Sequence, residues 1–155
     1  MKRPELTVFL ALSLSALCVQ PLLSSCSDNE PYEAVDYQQI PPVSRSFIST
    51  YFPGMQIKSS KMEHDDGTVR YEVKFFNGIE IEFDQNGLWT DIDMPKHMEV
   101  PPAMLPIPMA QYIAANFPGS GVNEISRKYN GYEVELTNGV ELIFDSNGYL
   151  IHIDR

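Results

Sequence analysis

The sequence predicts an α+β domain: two tandem helix-plus-four-strand repeats joined into one mostly antiparallel eight-stranded sheet, with helices on one face. Three observations lead there. The stretch "YEVKFFNGIEIEFDQNG" from Tyr71 returns as "YEVELTNGVELIFDSNG" from Tyr132, and Tyr71–Asp93 matches Tyr132–Asp154 at 12 of 23 positions without a gap, the mark of an internal duplication. Apolar residues alternate with polar ones through both copies, which is the period of half-buried strands. At 155 residues the chain can bury one real core but not two, so the duplication lies inside a single domain.

Before that domain, Lys2 and Arg3 open a segment whose apolar run, Thr7 to Val19, is far shorter than the roughly 20 residues needed to cross a bilayer; it reads as a secretory signal. The run is followed by "LSSC", Leu23 to Cys26, which resembles the lipobox of bacterial lipoproteins. That resemblance implies removal of residues 1–25 as a signal peptide and acylation of Cys26. The other cysteine, Cys18, lies in the removed part, so the mature chain has no pair to form a disulfide. Residues 26–39, acidic, proline-bearing and without apolar period, are expected to be a flexible tether. Its "CSDNE" start resembles the export signal of surface lipoproteins of the Bacteroidetes. The expected address is the cell envelope, with the protein lipid-anchored to the outer membrane on its periplasmic side or at the cell surface.

The folded domain is expected over 40–155, with repeat one at 40–94, a connector at 95–104 and repeat two at 105–155. Each repeat opens with a short helix whose apolar positions (Val43, Phe47, Tyr51; Met109, Tyr112, Ile113) recur at helical spacing. Each helix stops at Phe-Pro-Gly, where Pro53 or Pro118 cannot continue it. Strands follow near 55–62, 68–75, 79–84 and 88–93, and again near 122–128, 131–136, 140–145 and 149–154. Keeping Tyr71, Val73 and Phe75 on one face with Ile79, Ile81 and Phe83 pairs Phe75 with Ile79 across a three-residue "FNG" loop. The same rule pairs Phe83 with Leu88 across a four-residue "DQNG" loop, and in repeat two Leu136 with Val140 and Phe144 with Tyr149. The linking stretch Met94–Pro108 has five prolines in fifteen residues and is expected to be extended.

Helix, Phe-Pro-Gly, then "GYEVELTNGVELIFDSNGYLIHID" resembles the PepSY-like repeat family of bacterial envelope proteins, which share the plan of the beta-lactamase inhibitor protein. The resemblance spans nearly the whole mature chain in two copies. It implies the fold and an extracytoplasmic setting, and it carries over no catalytic residue, because the family pattern consists of turns and core positions.

The formal net charge of −10 argues against nucleic-acid binding, which needs basic surface to displace counterions. In the register above, the face away from the helices carries Glu72, Lys74, Glu80, Glu82, Trp89, Asp91 and Asp93 in repeat one, and Glu133, Glu135, Glu141, Ile143, Leu150, His152 and Asp154 in repeat two. Glu72 stands opposite Glu82 and Glu135 opposite Glu141, like charges that a cationic partner would relieve. Trp89 is placed opposite Glu82 and Ile143 opposite Leu150, apolar anchors among charges. The expected function is a non-enzymatic binding module whose site comprises Trp89, Ile143, Leu150, Glu72, Glu82, Glu135, Glu141 and His152. Its partner would be an envelope protein or peptide, with inhibition of a peptidase or hydrolase as one form. The alternative is a cation- or small-ligand-binding sensor using the acidic face. "DQNG" and "DSNG" lack the further ligands of an EF-hand loop and read as turns. His64, His97 and His152 are too scattered for a zinc set. No nucleophile elbow or glycine-rich phosphate loop is present, and neither a cofactor nor a metal is expected.

Overall fold

Strands form from Ile57 onward because β-branched and aromatic residues alternate with polar ones, and the chain reverses wherever an Asn-Gly pair interrupts that alternation. A computed structural model describes residues 32–65 and 67–154. Its elements are β1 (Tyr32–Ala34), α1 (Pro42–Tyr51), β2 (Ile57–Asp65), β3 (Thr68–Phe75), β4 (Glu80–Asp84), β5 (Trp89–Asp93), α2 (Ile107–Asn116), β6 (Val122–Lys128), β7 (Gly131–Leu136), β8 (Glu141–Asp145) and β9 (Leu150–Asp154). The strands lie in chain order in one open antiparallel sheet.

The sheet therefore has nine strands where eight were expected. The additional one, β1, comes from the stretch read as tether: Tyr32, Glu33 and Ala34 pair with Glu63, Met62 and Lys61. Val35 N–H donates to the Ser60 carbonyl at 3.0 Å, and Ile40 is fully buried in the core. The signal peptide, Cys26 and the start of the tether lie outside the described residues.

Both helices carry proline in their first turn and leave helical geometry at Phe52 and Phe117, one residue ahead of Pro53 and Pro118. α1 buries Ser44 and Ile48, and α2 buries Met109 and Ile113. Val43, expected on the inner stripe of α1, is exposed, because the stripe runs one residue further on. Phe47 meets Phe83 edge-on at 5.8 Å and Tyr112 meets Phe144 at 6.0 Å. Phe83 and Phe144 point to the same side of the sheet, so one continuous core of Phe75, Ile81, Phe83, Ile92, Ile125, Leu142 and Phe144 lies beneath both helices. The connector takes part in it: Val100 is buried and its N–H donates to the Val122 carbonyl at 2.8 Å.

The hairpin loops set which residues reach the other face. Phe75 N–H donates to Ile79 O at 2.9 Å around Phe76–Gly78, the loop expected there. The next loop is also three residues long, not four. Asp84 Oδ1 accepts from the N–H groups of Asn86 and Leu88, and Asp84 N–H donates to Leu88 O at 2.8 Å, so Asp84 and Leu88 close the turn with Gly87 at φ +82°. Phe83 consequently pairs with Trp89 and not with Leu88. One residue later the register shifts by a bulge at Thr90, after which Glu82 faces Asp91 and Ile81 faces Ile92. The β8–β9 hairpin does the same: Phe144 pairs with Leu150, and Ile143 with His152.

Candidate functional site

The short loop and the bulge cancel, so every residue from Asp91 or His152 onward regains the expected face while Trp89 and Leu150 do not. Those two were expected on the open face as apolar anchors; both point to the helix side instead. Trp89 is buried, stacked on Tyr132 at 6.3 Å between ring centroids, with the Arg127 guanidinium 4.3 Å from the centre of its ring. Leu150 packs against the core. Glu72, Glu82, Glu135, Glu141, Ile143 and His152 do occupy the open face, in the expected pairs Glu72 with Glu82 and Glu135 with Glu141.

With Trp89 and Leu150 turned inward and Ile143 the one apolar anchor left, this face is organised by charge. Following the cross-strand partners from β3 to β9, one row reads Glu72, Glu82, Asp91, Ser126, Glu133, Ile143, His152. The row beside it reads Lys74, Glu80, Asp93, Glu124, Glu135, Glu141, Asp154. Six carboxylates thus stand on six adjacent strands, each opposite the next, at a strand spacing of about 4.8 Å. The pairing of β5 with β6, which brings Asp93 opposite Glu124, joins the acids of β4 and β5 to those of β6–β9 in one line. Asp93 and Glu124 were not among the expected site residues. Their alternation within each strand was readable, but that β5 lies beside β6 is a tertiary fact.

Counter-charges gather mainly at the β2–β3 end. Lys74 Nζ is 2.7 Å from Glu80 and 3.4 Å from Glu72, Lys61 is 3.9 Å from Glu72, and Arg70 is 3.3 Å from Glu63. Farther along, Lys128 pairs with Glu133 at 3.1 Å. None of these pairs involves Asp93, Glu124 or Glu135. The electrostatic consequence is a raised pKa at three acids. Burial is the largest cause at each, followed by acid neighbours: Asp91 for Glu82, Glu80 for Asp93, and Asp91 for Glu124. Lys74 is held protonated more firmly than usual, chiefly by its hydrogen bond to Glu80. Over β6–β8 the face is hollowed into a cleft of about 360 Å³ lined by Glu124, Ser126, Glu133, Glu135, Glu141 and Asp154 among others. Ser126 Oγ donates to Asp91 Oδ2 at the cleft's edge. Among the described residues no group of three or more His, Cys, Asp or Glu is placed so as to hold a metal ion, and no helix is long and apolar enough to cross a membrane.

The sequence model of the family described as "Putative beta-lactamase-inhibitor-like, PepSY-like" matches residues 69–152, more than half of the chain. The chain belongs to the PepSY-like family. Solved structures agree with that membership. A periplasmic protein of the DUF2874 family from Bacteroides vulgatus ATCC 8482 is 36% identical, with a TM-score of 0.77 over 81% of this chain and 98% of that one. A protein from Bacteroides thetaiotaomicron, described as a "putative calcium-regulated periplasmic protein", is 37% identical, with a TM-score of 0.76 over 80% of this chain and 97% of that one. A third, also from Bacteroides vulgatus ATCC 8482 and of unknown function, is 32% identical, with a TM-score of 0.75. No curated protein matches the sequence. The three solved relatives are described as periplasmic, and the matching descriptions indicate no catalytic family.

Proposed function

We propose that this PepSY-like chain is an extracytoplasmic, non-catalytic binding domain, built of two tandem copies and lipid-anchored through Cys26 at the outer membrane. We further propose that its acidic ladder takes a divalent cation, calcium first. The observation that carries this reading is the unbroken row Glu80, Asp93, Glu124, Glu135, Glu141 and Asp154. Like charges directly opposite one another destabilise a sheet, and a hard cation with oxygen ligands removes that cost at once. Calcium accepts 6–8 oxygens in flexible geometry, so neighbouring carboxylates from two strands with water in the remaining positions form a chemically reasonable site. An open site of this kind belongs in the weak range of extracellular calcium modules, about 0.1–1 mM. The Bacteroides thetaiotaomicron relative's description as calcium-regulated supports the choice of ion.

The test is a thermal melt of the mature chain in calcium chloride, compared with sodium chloride at equal ionic strength. With 10 mM calcium and a Kd near 1 mM the stabilisation is about 1.4 kcal/mol, a rise of several degrees for a domain of this size. A melting curve identical in both salts contradicts the reading.

The family's description as beta-lactamase-inhibitor-like favours one second reading: the same acidic face grips a basic segment of an envelope protein or peptide and inhibits it. Here Glu135→Lys with Glu141→Lys should abolish capture of that partner, and calcium should leave the melting temperature of the parent protein unchanged.

A further inference from the structure

The two ends of the sheet are not alike. Strand β5 is paired on both sides, with β4 and with β6, whereas β9 pairs with β8 alone among the described residues. Yet β9 has the construction of β5: the same three-residue loop before it, the same bulge after its first residue, and His152, Ile153 and Asp154 where β5 has Asp91, Ile92 and Asp93. In β5 those three positions are the ones that pair with Ser126, Ile125 and Glu124 of β6. The edge of β9 away from β8 therefore presents the backbone pattern that β6 accepts.

A second strand in the molecule has the position of β6. Lys61, Ser60 and Ser59 of β2 face Glu72, Val73 and Lys74 of β3 just as Ser126, Ile125 and Glu124 face Glu133, Val134 and Glu135 of β7. Among the described residues, the outer edge of β2 is covered by β1, whose three residues pair with Lys61, Met62 and Glu63, followed by the Val35 bond to Ser60. Short strands of this kind are a usual means of blunting a sheet edge.

We infer that β9 is a docking edge for β2 of a second copy of this chain, and that β1 is the cap that must leave for the two to join. The expected register copies the β5–β6 junction: His152 opposite Lys61 of the second copy, Ile153 opposite Ser60, and Asp154 opposite Ser59. Charge favours it. Inside one molecule the junction sets Asp93 against Glu124, whereas between copies Asp154 meets a serine, and the acidic row runs on to Lys74 of the next chain. The contact is heterologous, so each added copy again exposes a β9 edge and the assembly does not close. Main-chain bonds along an added strand supply the attraction, as in other edge-strand recognition.

The test uses the mature chain from residue 26 with Cys26→Ser, in sedimentation velocity at about 150 mM salt, where surface charges are screened beyond about 8 Å. Val35→Pro removes the hydrogen bond to Ser60 and should convert a monomer into a concentration-dependent series of dimers, trimers and larger species. Adding Ile153→Pro, which blocks the β9 edge away from β8, should restore the monomer, with circular dichroism confirming that both variants stay folded. A Val35→Pro protein that remains monomeric, that stops at dimers, or that still assembles with Ile153→Pro overturns the inference. In the uncapped Val35→Pro background, His152→Cys and Lys61→Cys proteins mixed under a mild oxidant should form the 152–61 crosslink in excess of 152–152 and 61–61. Equal yields of the three overturn it as well.

Discussion

At the scale of single residues, Asp93 and Glu124 show how the site differs from an ordinary polar surface. Each stands opposite another acid on both neighbouring strands, and each has its pKa pushed up, by burial first. A carboxyl whose folded pKa is raised binds its proton more readily in the native state than in the unfolded chain. Its ionised form thus costs stability at neutral pH, and the cost disappears as pH falls through the folded pKa toward the ordinary value. In buffer without divalent ions, the melting temperature should rise as pH drops from 7.5 to about 5, the window above the usual carboxylate range. In a Glu82→Gln, Asp93→Asn, Glu124→Gln variant the same melts should be flat. Glu124→Gln alone should stabilise the ion-free protein by about 0.5–1 kcal/mol, the size of one cross-strand repulsion, and should shrink the calcium-induced rise. Trp89 makes the opposite case. It is buried against Tyr132 and Arg127 on the helix side, so Trp89→Ala should cost about 3–5 kcal/mol of stability in denaturant unfolding and leave calcium affinity unchanged in whatever fraction is folded. A loss of affinity there would return Trp89 to the binding surface.

Among elements, the hairpin loops decide what the sheet can present. Glycine at position 87 is required twice over: its φ is +82°, and a Cβ there would lie 2.8 Å from Pro41 Cβ and 2.9 Å from Ser44 Oγ. Ser44, fully buried in α1, donates to the Gly87 carbonyl at 3.1 Å, so the helix start is clamped on this turn. Gly87→Ala should destabilise the protein by more than the roughly 1 kcal/mol of the left-handed conformation alone, as read from chemical unfolding. Gly54→Ala, with open space around it, should cost only about that conformational amount. The same turn marks where the sequence could and could not be read. Alternation placed Tyr71, Val73, Ile81 and Phe83 inside and Glu72, Glu82, Asp91 and His152 outside, because a one-residue slip inverts a whole strand and only one register keeps the core apolar. Trp89 and Leu150 escaped that logic, since the Asp84 and Asp145 side chains tighten the loops by one residue and a bulge then absorbs the slip. Neither event disturbs the alternation pattern on either side of it.

For the whole molecule, the nine-stranded sheet joins two similar halves through one junction, β5 against β6, with three paired positions. That junction carries both the buried pair Ile92 and Ile125 and, on the open face, the pair Asp93 and half-buried Glu124, so cohesion on one face and repulsion on the other meet in the same few residues. The helices and the acid-rich open face were legible in the sequence, because helical spacing and alternation are written along the chain. The β1 cap was not, for a three-residue strand has too little pattern to stand out in an acidic stretch. Nor was the continuity of the carboxylate row, which exists only once β5 and β6 are side by side. A cation bound at that row would tie the halves together across their shared junction. The most direct measurement is a nitrogen-15 NMR titration of the mature protein with calcium chloride at constant ionic strength. Shifts should concentrate on the amides of Asp93, Glu124, Glu135 and Glu141 and saturate at millimolar calcium. Shifts confined to the Asp84 and Asp145 turns, or none at all, would contradict a cation site on the open face.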